Sequence, residues 1–395
     1  MRRARVWGGL FLLIALWAAP SWAYPFMIRH EYTGCAVCHV DPSGGYLLTP
    51  YGRAQTQTLL STFGHGPPGD EVDKRSQFAL GLVSPPEWLN LGGTLREAYF
   101  WSKGLSPKTQ ASSQAILMQA DLRAAVTTEH FVATASLGYL RHGNHAAQVT
   151  HGDQDVLVSR EFWAGVKFGD EQSTMLRAGR MYVPFGIRVI EHPFYVRTET
   201  DTNIDSQQEW GAALFHEEEK YRAEIMAIAG NYQVSPDAYR QRGYAGYFEY
   251  AVAPRLQLGV SSQLTYAKLD LDAGVSAFRG AHGPMLRWSP AESLAILVEG
   301  DLLHTVVNSS VTAAGLAGMA QLDWEVIRGL HGIVTTESYR PPFVQSGWFY
   351  RDWLSVAWFA YPHIDFRVDS YWSSEVYTSQ RIDSIAALGQ VHVSL

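Results

Sequence analysis

The sequence predicts an all-β fold, a transmembrane antiparallel β-barrel of about 16 strands. Three observations carry this reading. Apolar and polar side chains alternate with a period of two along most of the chain. The connections between the alternating runs are by turns long and short. Aromatic residues reach 13% and charged residues fall to 17%, yet after the N-terminal leader no apolar run approaches the roughly 18 residues of a spanning helix. Backbone groups in hydrocarbon must bond to one another, so a chain without spanning helices crosses a bilayer as a closed barrel.

Residues 1–23 read as a secretory signal peptide. Met1-Arg2-Arg3-Ala4-Arg5 is a positive start, Val6 to Ala19 is an apolar core, and Ser21-Trp22-Ala23 supplies small residues for cleavage after Ala23. The apolar run is short for a membrane anchor. Removing a leader with three arginines and no acid takes the formal charge from −7 to −10, which argues against nucleic acid as a partner.

Residues 24–77 form a small segment and a linker. It contains the chain's only two cysteines, in Cys35-Ala36-Val37-Cys38-His39. This C-x-x-C-H spacing is the attachment signature of a c-type haem. Two thiols separated by two residues can each add to a vinyl group of one porphyrin, and His39 then stands ready to ligate the iron as the axial residue. A redox C-x-x-C needs no following histidine, and a structural zinc site needs two further ligands at finger-like spacing. A disulfide across two residues would be strained. The second axial position stays open: His65 is preferred to Met27, His30 is a third candidate, and five-coordinate iron is a further possibility. Asp41-Pro42-Ser43-Gly44-Gly45 reads as a turn and His65-Gly66-Pro67-Pro68-Gly69-Asp70 as a loop. Fifty-odd residues with few apolar clusters bury little core alone, so haem and neighbouring chain must supply it.

Residues 78–395 form the barrel. In one run Ile116, Met118, Ala120, Leu122, Ala124 and Val126 form the apolar, lipid-facing set and alternate with Gln119, Asp121 and Arg123; in another Leu322, Trp324 and Val326 alternate with Gln321, Asp323 and Glu325. Strands are read at 90–102, 115–127, 130–141, 156–168, 173–184, 208–216, 219–230, 242–252, 255–267, 277–288, 292–304, 314–328, 330–340, 350–361, 363–373 and 384–395. Short connections such as Thr128-Glu129, Ala253-Pro254 and Gly329 alternate with long ones such as His142 to Asp155 and Phe185 to Gln207. Outer-membrane barrels have short periplasmic turns and long external loops. The first connection, Lys103 to Gln114, is long. The N-terminal segment is therefore expected in the periplasm, at the inner mouth of the barrel. Phe185 to Gln207 is then the third external loop, which in 16-stranded porins commonly folds inward; this is an analogy of fold. His142, His145 and His151 cluster on the second external loop, where a solvated surface is expected rather than a metal site.

Tyr32-Thr33-Gly34 leading into the haem motif, Pro42 and Tyr51-Gly52 after it, and Val183-Pro184-Phe185-Gly186-Ile187-Arg188 with His192 carry a resemblance. The chain resembles a family of Gram-negative outer-membrane proteins in which a short monohaem cytochrome c segment precedes a porin-like barrel. The resemblance implies electron transfer at the outer membrane.

Three functions compete. The first is a haem c-bearing outer-membrane porin-like protein in electron transfer. Hydrocarbon about 30 Å thick exceeds the reach of one haem, so a redox partner in the periplasm or entering the lumen is expected. The second is a diffusion porin for small solutes whose haem is structural or a plug. The third is a haem peroxidase-like enzyme. No phosphate loop, nucleophile elbow or zinc-protease motif is present. Outer-membrane lipid and a second copy of the chain complete the expected partners.

Overall fold

The computed structural model describes residues 24–63, 77–106, 109–141, 155–191, 193–271, 273–307, 311–342 and 347–395. The signal peptide, His65, His192 and the His142, His145 and His151 cluster lie outside them.

Period-two patterning becomes a single closed antiparallel sheet. Its strands are β1 (Leu89–Gly104), β2 (Ser112–Thr127), β3 (Phe131–Leu140), a two-part β4 (Val156–Val158 and Phe162–Phe168), β5 (Thr174–Tyr182), β6 (Gln208–Glu217), β7 (Tyr221–Gly230) and β8 (Arg242–Ala253). They continue as β9 (Leu256–Ala267), β10 (Ala277–Ala291), β11 (Leu294–Val307), β12 (Val311–Ile327), β13 (Leu330–Arg340), β14 (Trp348–Tyr361), β15 (Ile364–Val376) and β16 (Arg381–Ser394). Each strand pairs with its sequence neighbours, and β16 returns to β1 in the register Thr94↔Ser394 through Gly104↔Ser384. Closure leaves no sheet edge in lipid.

Both parts of β4 pair with β3, so they are one wall strand interrupted at Ser159-Arg160-Glu161 and the wall has 16 strands. At the interruption the Ser136 hydroxyl accepts from the N–H groups of Arg160 and Glu161, each at 2.9 Å. Both side chains turn into the lumen, where Arg160 pairs with Asp121.

The outward face is apolar. Leu122, Leu354 and Val368 are 60%, 61% and 60% exposed, although they are large hydrophobes. A soluble protein rarely leaves such a band bare; a lipid-facing wall requires it. Phe131, Phe168, Tyr221, Tyr250, Trp288, Trp324, Trp358 and Phe366 ring the short-turn rim on this face, as in an interfacial aromatic girdle.

The lumen is not empty. The connection after β5 folds inward, burying Phe185, Ile187, Val189, Phe194 and Val196 in the largest apolar cluster. Gly186 makes the entry turn at φ +60°, a conformation that favours glycine, and a Cβ there would collide with Glu299 and Arg197. Wall side chains hold the loop: Ile187 N–H donates to Glu299 at 2.7 Å, Tyr195 N–H to Glu337 at 2.6 Å, and the loop's own Glu191 pairs with Arg367 of the wall at 2.7 Å. The inward third loop expected by analogy is therefore present.

The N-terminal segment goes further in than the inner mouth: residues 24–63 are threaded into the short-turn half of the lumen. Arg29 is clasped by Asp323 and Glu325 of β12. Thr62 and Phe63 donate backbone bonds to Phe359 and Ala360 at the end of β14, at 2.8 and 3.0 Å. A segment with so little core of its own is stable where the wall supplies the rest.

Candidate haem site in the barrel lumen

The cysteine motif forms one turn. The N–H groups of Cys38 and His39 both donate to the Cys35 carbonyl, at 3.1 and 2.9 Å. The chain then doubles back: Val40 N–H donates to the Leu47 carbonyl and Thr49 N–H to the Cys38 carbonyl, both at 2.9 Å. Asp41 closes the tip, its carboxylate accepting from the Ser43 N–H at 2.8 Å and the Ser43 hydroxyl at 2.7 Å. The Thr49 hydroxyl caps the helix Pro50–Gln55 by accepting from Gly52 N–H at 3.0 Å. Gly52 lies against the Cys38 backbone so closely that any Cβ would collide with the Cys38 carbonyl. Here the sequence Tyr51-Gly52 acquires a physical reason.

Polar contacts fix this turn in the lumen. Asp41 pairs with Arg177 of β5 at 2.8 Å, and Arg177 with Glu224 of β7 at 2.6 Å. Arg188 of the inward loop donates to the carbonyl and the hydroxyl of Ser43, each at 3.2 Å. The Tyr46 hydroxyl donates to Asp205 at 2.7 Å, and Arg53 to Asn90 of β1 at 2.8 Å.

Burial sets the protonation states. It pulls the His39 imidazole down to about 4, against the opposing influence of the Gly45 backbone and Asp41. The ring is thus neutral at physiological pH, the form that ligates a metal. Burial pushes the Cys38 thiol up to about 12. It also opposes the charge on Asp41, but Arg177, Ser43 and Arg188 hold that carboxyl below its usual range. His30 is lowered to about 3, first by burial and then by Arg29.

Cys35, Cys38 and His39 line a cavity between the segment, the inward loop and the wall. Its apolar surface comes from Leu48, Leu60, Met118, Ile187, Val189 and Leu388; Arg96, Arg222, Arg287 and Arg367 also face it. Apolar walls with arginines suit a flat hydrophobic macrocycle bearing carboxylates, so the residues present fit a haem c. The two cysteines are not joined in a disulfide. Among the described residues no group of three or more His, Cys, Asp or Glu is arranged to hold a bare metal ion.

Of the proposed second ligands, Met27 faces this cavity. His30 is buried beside Arg29 and does not line it. Sequence reasoning missed Met118. Alternation placed it on the lipid face, but a register shift opposite Arg96 and Glu97 leaves Met118 unpaired, and it faces the cavity instead. It also missed His392. Period two puts His392 on the lumen face of the last strand, but no sequence signal gives its height relative to the segment.

No family model matches the chain, and no curated protein matches it. Solved structures do. The outer-membrane channel DcaP of Acinetobacter baumannii is 9% identical, covering 78% of this chain and 97% of its own, with a TM-score of 0.57. OmpT of Vibrio cholerae is 10% identical over 79% and 100%, with a TM-score of 0.57. The anion-selective porin from Comamonas acidovorans is 9% identical over 78% and 99%, with a TM-score of 0.56. At such identities the likeness is one of fold, and that fold is the 16-stranded porin-like barrel of outer-membrane proteins. About a fifth of this chain has no counterpart in them.

Proposed function

We propose that this chain is an outer-membrane barrel carrying one covalent haem c in its lumen, and that it takes part in electron transfer at the periplasmic face. The observation that carries the proposal is the placement of Cys35, Cys38 and His39 on one amphipathic cavity inside a porin-like wall. Cys35 and Cys38 would hold the group by thioethers and His39 would ligate its iron. Bound there, the haem supplies a one-electron redox couple. The chain's own residues do the rest. The inward loop and segment 24–63 enclose the cavity, Arg96 offers a cation to carboxylates, and the buried Asp41–Arg177–Glu224 chain holds the motif in place.

Orientation follows from loop lengths. Short turns belong to the periplasmic side, and the segment occupies the short-turn half of the lumen, so a redox partner would approach from the periplasm. A tag near Gly69 should be hidden on intact cells while one near Ala146 is reached by antibody. The reverse result would put the haem on the outer side.

A second reading is favoured by the fold itself, since its neighbours are channels: a diffusion porin in which the haem-bearing segment is a plug. A redox titration of the purified protein, paired with bilayer conductance, separates the two. A reversible one-electron wave in a barrel of low conductance supports electron transfer. An open pore whose haem exchanges no electrons with soluble mediators supports the porin.

A further inference from the structure

We infer that His392, on the closing strand β16, is the second axial ligand of this haem; the inference rests on the haem reading above. His392 lines the same cavity as Cys35, Cys38 and His39. Its Nδ1 is held by the Asp365 carboxylate of β15 at 2.8 Å. Its Nε2 is buried and makes no hydrogen bond among the described residues. A buried ring nitrogen without a partner is costly and calls for an explanation. A carboxylate holding one nitrogen while the other points to a metal is the usual support of a ligating histidine, because it fixes the tautomer and raises the basicity of the free nitrogen.

Competing groups are accounted for otherwise. His331 is held in the same manner by Asp323 at 2.9 Å, but its Nε2 lies 3.8 Å from Glu325 and it does not line the cavity. Met27 is packed among Ile28, Leu60, Ile333 and Phe359, and that apolar contact explains its burial. Met118 reaches the cavity, but a thioether has no unmet hydrogen bond for a metal to relieve. In the ladder His392 stands opposite Arg96 on one side and Asp365 on the other, and both face the cavity. The ligand and a cation suited to carboxylates therefore share one level of the wall.

Two functional consequences follow. Two imidazole ligands give a low-spin iron of lower potential than a histidine–methionine pair, with no open position for peroxide, which favours electron transfer over the enzyme reading. A ligand on the last strand also ties the segment to the wall at the seam where the barrel closes.

The test uses full-length protein matured in a host that attaches c-type haem, comparing wild type with His392→Ala, Asp365→Asn and Met118→Leu. Optical and paramagnetic resonance spectra are recorded in both redox states, with haem-stained denaturing gels beside them. Wild type should be low-spin without a sulfur-to-iron charge-transfer band. H392A should keep its stained haem, turn high-spin, and return to low-spin on adding imidazole. D365N should stay low-spin with a raised midpoint potential, and M118L should keep the low-spin spectrum, since no sulfur ligates the iron. A low-spin spectrum that survives in H392A overturns the assignment, as does a sulfur band or a high-spin iron in wild type. If H392A does not assemble, the wild-type signature and the D365N potential decide. Wild-type protein without stained haem removes the haem reading and this assignment together; stained haem with another ligand removes the assignment alone.

Discussion

The barrel wall and the segment it encloses are built on opposite principles. The wall from Leu89 to Ser394 repeats one interaction: each strand satisfies its backbone against its neighbours, and side chains alternate between lipid and lumen. The segment from 24 to 63 has a 3-10 helix (Pro25–His30), a short α-helix (Pro50–Gln55) continued by a π-helical turn (Thr56–Leu60), a few tight turns and one isolated bridge. It is held by individual contacts to distant wall residues, such as Asp41 to Arg177 and Arg29 to Asp323. The wall closes through its own strand pairing, whereas the segment has little core without the wall. Substitutions in the two regions should therefore fail differently, and four predictions sharpen that difference.

The largest effect is all-or-none. Replacing Cys35 and Cys38 by alanine should abolish covalent haem while leaving the barrel closed, seen as heat-modifiable migration on a gel. Loss of the folded band in that variant would mean that the wall depends on the attached haem after all.

Next is Arg177→Ala, which strands the carboxylates of Asp41 and Glu224 in a buried site. Breaking a buried pair by removing one partner costs about 3–5 kcal/mol. Here the loss should fall on docking of the segment. Protease should cut within 24–63, bilayer conductance should rise, and barrel migration should persist.

Leu354→Arg attacks the wall alone. A cation on the lipid face near mid-membrane costs about 2–4 kcal/mol. It should lower the urea midpoint of barrel unfolding, with the haem spectrum of the surviving folded fraction unchanged.

The smallest effect is expected at the rim. Arg255 and Glu292 pair at 3.0 Å but are half-exposed, so Arg255→Ala should shift stability by no more than about 0.5 kcal/mol.

A pH dependence accompanies these. His30 is neutral when docked, with its pKa depressed to about 3 from an ordinary 6.5. The stabilisation of the docked segment is thus complete above about 6.5 and is lost as pH falls from there toward 3. Protease cutting within 24–63 should rise over that window, and His30→Gln should flatten the rise.

The same contrast explains what could be read from the sequence. The wall was legible because period two is local: the strand at 156–168 was found, and so were the loops that alternate in length. Two of its irregularities near the cavity were not legible. The interruption at Arg160-Glu161 and the unpaired Met118 change which way a side chain points without changing composition. In the segment, the spacing of Cys35, Cys38 and His39 singled out a motif that the structure brings onto one cavity, and the turn at Asp41 to Gly45 was legible too. The segment's position inside the lumen was not, since the contacts that fix it join residues such as Arg29 and Asp323, nearly 300 positions apart. Loop 185–207 was expected inside by analogy of fold, but its clasps by Glu299 and Glu337 were not foreseen.

The central claim is that this porin-like wall encloses a covalently bound haem. The direct measurement is the mass of the denatured, full-length protein, with the peptide containing Cys35 and Cys38 sequenced by fragmentation. The account predicts one haem per chain, attached through both sulfurs and absent when either cysteine pair member is replaced together with the other. A peptide carrying two unmodified thiols, from a host that matures other c-type cytochromes normally, would contradict it.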